Sequence, residues 1–297
     1  MKNRNRLKQN ENLVGYAFVM PALVIFIVLV AFPFVFSIFL SFTDWNFLSG
    51  FKGIRLVGLE NFRNLATDRT FKMALKNTFI YAIATVPTSI LFALILAFML
   101  NNKVYMKKIL RFAFFIPYIS NAVALATVFK FMFREDGVVN ILLQSIGFSN
   151  LPNWMADTQF NKIPIILLLI WTAIGYELII YMAALQNIPR DLYEAADLDG
   201  ATAIQQFTKI TFPMISPTTF YLVVVRLISA FKVFSSINIM TLGTAARGNA
   251  SMVTEIYSNA FSGYKFGFAS AEAVVLFAII LGVTLLNFWG QKKWVHY

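Results

Sequence analysis

No cysteine occurs among the 297 residues, so neither a disulfide framework nor a thiolate metal site is available. Histidine is nearly absent too: the single one, His296, stands beside the last residue, where an interfacial or disordered side chain is expected. These two gaps leave almost no room for a Ser-His catalytic pair or a histidine metal cluster. Charge is scarce, at 13% of residues, about half the usual soluble share, and acids (14) are fewer than bases (25). No G-x-x-x-x-G-K-[ST] run occurs, so ATP is not bound by a phosphate loop of this chain. Internal repeats at the residue level and low-complexity segments are also missing.

What is present is apolar: 59% hydrophobic residues and a mean hydropathy of +0.69 exclude a soluble domain. The formal net charge of +11 would suit nucleic acid, but the basic residues sit in short flanks of apolar runs. That placement sets membrane topology and headgroup contact instead.

Residues 1–12 form a basic tail with Lys2, Arg4, Arg6 and Lys8 against Glu11. The apolar run that follows, about 13–42, is longer than a ~7–15-residue signal-peptide core and has no small-x-small cleavage site. It is expected to be a retained span with its N-terminus inside, bent or tilted around Pro21 and Pro33, with Trp45 and Phe47 at the far interface. Further spans are expected at about 77–100, 110–133, 163–187, 218–240 and 268–290. Lys103, Lys107, Lys108 and Arg111 mark a cytoplasmic loop after the second span, and Lys292 and Lys293 close the chain inside. The external connection 44–74 breaks the simple rule, because its basic residues outnumber its acids; short amphipathic helices at the headgroups accommodate them. The reading is six spans, both termini cytoplasmic, within one transmembrane domain covering 13–297.

One polar stretch, 188–217, interrupts the apolar C-terminal half. Pro189 cannot continue a preceding helix, Asp191 stands where an N-cap belongs, and Glu194 follows three residues later as in a capping box. If a single helix runs on, Ala196, Gly200, Ala203 and Phe207 share a face, small at one end and aromatic at the other, suited to a partner's groove. Gly200 is a weak point at which that helix could split in two, and Pro213 with Pro217 is expected to end it. On physics alone an amphipathic linker lying on the membrane is the better reading of the stretch.

The pattern Glu194-Ala195-Ala196, Asp199-Gly200-Ala201, Phe207, Ile210, Pro213 and Pro217 resembles the EAA loop of binding-protein-dependent ABC importer permeases. FFIPYISNAVALATVFKFMFREDGVVN, with Asp136-Gly137 and Asn140, is similar to the carbohydrate branch, on the side of the maltose, lactose and glycerol-3-phosphate type first permeases. The resemblance covers nearly the whole chain, from GLENF through FGFASAEAVVLF. It implies an all-α integral membrane protein of type I importer fold, six spans and a cytoplasmic coupling loop, in a bacterial-type plasma (inner) membrane. Implied partners are a second permease subunit, two ATP-binding subunits and an external solute-binding protein; ATP is bound by partners, so no cofactor is expected here. The implied function is non-enzymatic import of a sugar or oligosaccharide, with a sugar phosphate such as glycerol 3-phosphate as the alternative. Asp191, Glu194, Ala195, Ala196, Asp199, Gly200, Ala203, Phe207 and Pro213 would form the surface coupled to the ATPase. An ion-gradient transporter is a reading of another class, but the repeats and matched broken helices that such folds often carry are not evident. An intramembrane enzyme and a non-transporting anchor fit the residues less well.

A substrate pathway should use polar and aromatic side chains facing the bundle interior. Candidates are Tyr118 and Asn121 in the third span, Tyr176 and Tyr181 in the fourth, and Ser229, Ser235, Ser236 and Asn238 in the fifth. Packing or interfacial anchoring is the plain alternative for each. Four charges fall inside spans. At the 1.5 Å helical rise, Glu177 and Arg226 lie about 15 and about 14 Å from the cytoplasmic end, and Lys232 and Glu272 about 22 and about 24 Å. Two compensated levels are expected, Glu177 with Arg226 and Lys232 with Glu272, against independent snorkelling. An Arg226 left unpaired would favour an anionic substrate.

Overall fold

A computed structural model of the chain describes residues 2–101, 106–241, 248–292 and 294–295. Lys103, Lys293 and His296 lie outside the described residues. Among the described residues helices dominate, with one isolated antiparallel bridge between Thr43 and Leu56. In chain order they are α1 (Lys2–Phe26), α2 (Phe32–Leu40), α3 (Glu60–Thr67), α4 (Arg69–Asn101), α5 (Lys107–Ile119), α6 (Ala122–Met132) and α7 (Val138–Ser145). There follow α8 (Ile163–Gln186), α9 (Arg190–Leu198), α10 (Ala203–Gln206), α11 (Phe212–Phe231), α12 (Ser235–Met240), α13 (Met252–Tyr257) and α14 (Phe266–Gln291). Among the described residues, five helical stretches are long and apolar enough to cross a bilayer, and the bent pair α5–α6 supplies a sixth if counted as one span.

Prolines shape the first and fifth spans without stopping them. A widened π-turn, Ile27–Ala31, joins α1 to α2 just before Phe32-Pro33, and a second, Phe207–Thr211, precedes Phe212-Pro213 at the start of α11. A proline ring clashes with the carbonyl four residues back, and a local π-turn relieves that crowding. Pro217 removes the donor that the Pro213 carbonyl would have received, and Ser216 Oγ donates to that carbonyl at 2.7 Å instead. The expectation that Pro213 and Pro217 end a helix is therefore corrected: residues 203–231 read as one span.

Two spans depart from the continuous helices expected. The third is broken, α5 and α6 meeting at 98°. Pro117 lacks a donor, and Asn121, in extended conformation, accepts the Val123 and Ala124 amides on Oδ1 at 2.8 and 3.3 Å, starting a new helix. The fifth stops at Phe231, and α12 begins only at Ser235. The second span's helix begins earlier than expected, because Asp68 Oδ1 accepts the Phe71 amide at 2.8 Å and launches α4 there.

The chain divides into two compact units, residues 1–66 with 259–274, and residues 67–258 with 275–297. In the first, Asn61 Nδ2 donates to the Ser41 and Thr43 carbonyls, both at 2.9 Å, fixing the turn after α2. Gly267 is required there, since a Cβ would lie 2.0 Å from the Thr43 carbonyl oxygen. In the second, α8 packs along α4 and α5, and α11 packs on α4 and α8. A core of Tyr81, Ala126, Ile165, Leu168, Ile237 and Met240 lies at the end of this unit away from α9. There the start of α4 holds the segment before α13: Asn77 Nδ2 donates to the Gly248 and Ala250 carbonyls at 2.8 and 3.0 Å, and Tyr81 Oη to the Asn249 carbonyl at 2.9 Å.

Candidate coupling loop and membrane-core site

The polar stretch folds as two short helices, not one. α9 starts at Arg190, directly after an extended Pro189, so Asp191 is in the first helical turn and is no N-cap. The expected Asp191–Glu194 capping box is corrected accordingly; Asp191 instead places a carboxylate near the positive end of the helix dipole. At the other end the Gly200 amide donates to the Asp197 carbonyl at 3.1 Å and the Ala201 amide to the Ala196 carbonyl at 2.9 Å. That pairing is a Schellman stop, and it needs a left-handed residue, which Gly200 supplies at φ +71°. A true capping box follows at Thr202: its hydroxyl accepts the Gln205 amide at 3.4 Å, and Gln205 Oε1 accepts the Thr202 amide at 2.7 Å. Because the chain turns at Gly200, Ala196, Gly200, Ala203 and Phe207 do not form one continuous helical face.

The loop is tied to itself and to the spans. Gln206 Nε2 bonds Asp197 Oδ1, joining α10 to α9. The Tyr193 and Thr211 hydroxyls meet at 2.8 Å, joining α9 to the base of α11. Phe207 packs edge-on against Phe98 of α4 at 5.8 Å between ring centroids. Asp191, Glu194, Ala195, Asp199, Gly200 and Ala203 are exposed, while Ala196, Phe207 and Pro213 are half-buried. Two large apolar side chains flank the glycine turn almost wholly uncovered, Leu198 at 91% and Ile204 at 77%. The sequence reading missed both, along with the Tyr193–Thr211 and Asp197–Gln206 ties. A leucine and an isoleucine on either side of the Asp-Gly turn were the available signal.

In the membrane core, Glu177 of α8 and Arg226 of α11 form the expected pair, with Arg226 Nε 2.8 Å from Glu177 Oε1. The Glu177 side chain is fully buried, that of Arg226 18% exposed. Ser89 Oγ of α4 donates to the same carboxylate oxygen at 2.9 Å. The contact is an ion pair without hydrogen-bond alignment, and Glu177 Oε2 is buried with no hydrogen-bond partner among the described residues. Beside it, the rings of Tyr118 and Tyr176 stack at 5.2 Å, and the Tyr176 hydroxyl meets that of Tyr221 at 3.0 Å. Tyr221 and Ser89 were not singled out from sequence, since a lone tyrosine or serine in an apolar run carries no pattern.

The other pathway candidates scatter. Tyr181 is fully buried and donates to Thr219 Oγ1 at 3.1 Å, so it packs helices together and lines no open path. Asn121 is the cap of α6, and Ser229 Oγ returns to the Val225 carbonyl at 2.9 Å. Lys232 is the exposed C-cap of α11, at a helix end and not within a span. Glu272, in the other unit, receives Asn259 Nδ2 on both oxygens, at 3.1 and 3.0 Å. Ser235 and Asn238 fall on α12, and Ser236 beside them is half-buried.

Residues 79–294 match the family described as binding-protein-dependent transport system inner membrane component. A probable ABC transporter permease, YesP of Bacillus subtilis (strain 168), is 35% identical, the match covering 99% of this chain and 95% of the relative. The lactose transport system permease LacF of Rhizobium radiobacter is 35% identical, over 96% and 95%. In a crystal structure of a bacterial alginate ABC transporter with its alginate pentasaccharide-bound periplasmic protein, one chain superposes with a TM-score of 0.80 at 26% identity, over 96% of each. The chain accordingly belongs to the family of inner-membrane components of binding-protein-dependent transport systems, the permeases of ABC importers.

Proposed function

We propose that this chain is the membrane-spanning permease subunit of an ATP-driven importer for a sugar or oligosaccharide handed over by an external binding protein. It is a translocating subunit, not an enzyme, and ATP is held by its partners. Those partners are a second permease subunit and two cytoplasmic ATP-binding subunits, with both termini of this chain on the cytoplasmic side. The observation that carries the coupling role is the α9–Gly200–α10 turn, which leaves Leu198 and Ile204 uncovered while tying its base to α11 and α4. Exposed apolar knobs on a braced polar element fit a groove in a partner. ATP-driven closure of the ATPase pair would move this braced element, and with it the spans, between two access states.

The carbohydrate assignment draws on relatives named for lactose and for arabinooligosaccharides, and on neighbours that import alginate. An unpaired Arg226 would have favoured the sugar-phosphate alternative, and Glu177 compensates that charge.

The absence of cysteine makes a direct test available. Leu198→Cys or Ile204→Cys, the sole thiol in the chain, should cross-link to the ATP-binding subunit and to no other component. Uptake of labelled oligosaccharide should stop when the ATP-binding subunit is deleted and persist with a protonophore. The reverse pattern would place the chain among ion-coupled transporters.

A further inference from the structure

A cavity of about 1040 Å³ opens at the end of the 67–258 unit opposite the coupling loop. The opposition follows from topology: α11 leaves that loop at Phe212 and runs 20 residues, ~30 Å, before the break that leads to α12. Both broken spans contribute. α6, turned 98° from α5, and α12, separated from α11 at Lys232–Phe234, pack on each other over the buried Tyr81–Ile237 core. Ile239 and Met155 form the floor and lean on that core.

The walls carry a mixed chemistry. Phe131 presents an aromatic ring that is 59% exposed, and Asn153 and Asn238 bring amides. Four charges line the rim and cancel, Lys130 and Arg134 against Glu135 and Asp136. Arg134 Nε lies 3.1 Å from Asp136 Oδ1, and its guanidinium sits 5.9 Å from the Phe131 ring centroid. Asn153 Nδ2 donates to Glu135 Oε2 at 3.4 Å, and Lys130 Nζ to the Ile239 carbonyl at 3.5 Å. A phosphate or polyuronate would call for surplus positive charge, which the described lining residues do not carry. An apolar ring face with amides and carboxylates around it suits the CH face and hydroxyls of a neutral sugar. The volume stands at the upper end of small-ligand sites, room for more than one sugar unit.

We propose that this cup is a receiving subsite for a neutral oligosaccharide at the outer mouth of the permease. There the sugar released by the external binding protein is held before it enters the membrane core. The proposal rests on the carbohydrate-import reading above.

The test uses the full importer in nanodiscs, without its binding protein, and saturation-transfer NMR with neutral lactose, maltotriose and arabinotriose against acidic trigalacturonate. At least one neutral sugar should give a signal, and Phe131→Ala and Asn238→Ala should each weaken its binding at least fivefold, with unchanged unfolding temperature. The pair Glu135→Gln with Asp136→Asn should gain trigalacturonate binding, because it leaves Lys130 and Arg134 uncompensated. Neutral-sugar signals that survive both alanine variants, no neutral-sugar signal in the wild type, or a wild-type preference for trigalacturonate would each overturn the proposal. So would variants that lose docking of the binding protein while sugar binding stays intact, which would make the cup a protein-docking face. If carbohydrate uptake by cells still depends on this chain when the cup fails these tests, the subsite alone is wrong. If no carbohydrate uptake depends on it, the import reading fails as well.

Discussion

Glu177 of α8 and Arg226 of α11 meet at 2.8 Å, with the carboxylate wholly buried and Ser89 of α4 bonded to the same oxygen. Three spans are thereby joined through one charge. Removing either partner strands a buried ion, at about 3–5 kcal/mol. Glu177→Leu and Arg226→Leu should each lower the unfolding temperature in detergent and the yield of assembled importer. The double variant should recover part of the loss. Strictly additive losses in a double-mutant cycle would show that the two residues are not coupled.

Gly200 adopts φ +71°, yet a Cβ built there meets nothing within 4 Å. The requirement is thus one of backbone, not of space. Gly200→Leu puts a β-carbon in the left-handed region, about 1–2 kcal/mol against the turn, and adds bulk beside Leu198 and Ile204. Transport and pull-down of the ATP-binding subunit should be lost while membrane insertion stays normal. Gly200→Asn, which tolerates that conformation, should keep most of both activities.

Gly175 presents the opposite case. Its Cβ would lie 2.3 Å from the Phe114 carbonyl oxygen and 3.0 Å from the Phe115 Cα, both backbone atoms of α5. Backbone cannot swing aside as a side chain can, so α5 and α8 must separate. Gly175→Ala should destabilise by about 1–3 kcal/mol, as overpacking does, and Gly175→Val should prevent assembly. Thermal unfolding of the purified protein measures the first, and co-purification of partner subunits the second.

Ser216 and Pro217 form a compensated pair in α11. Ser216→Ala leaves the Pro213 carbonyl without its hydroxyl donor, and should cost about 1 kcal/mol. Pro217→Ala restores an amide at the position that normally reaches that carbonyl. Ser216→Ala made in the Pro217→Ala background should then be nearly neutral in thermal unfolding. An undiminished loss there would mean the hydroxyl has another task.

Much of this protein was legible one segment at a time. Spans four and six came out within about two residues, because a run of apolar side chains needs no partner to declare that it belongs in lipid. The Glu177–Arg226 pairing was also within reach, since helical rise converts chain position into depth once the two ends of a span are known. The Asp-Gly turn at Gly200 carried its own signal as well. The lack of cysteine and of a phosphate-loop motif, with a single histidine, narrowed the chemistry expected of the chain itself.

Tertiary structure decided the rest. Whether Pro117, Pro213 and Pro217 break a helix depended on which other group takes the orphaned carbonyl or caps the next turn. Asn121 started a new helix after the first, whereas a π-turn and the Ser216 hydroxyl carried the chain through the other two. Tyr176 and Tyr181 look alike in sequence, five residues apart on one helix. The packing of α11 buries Tyr181 against Thr219 and leaves Tyr176 between Tyr118 and Tyr221. Of the cup lined by Phe131, Asn153 and Asn238, only Asn238 was a candidate from sequence, because its walls come from three segments that meet only after two spans have broken. Composition fixes which stretches leave water; only the fold decides which polar atoms then find one another, because that depends on side chains far apart along the chain.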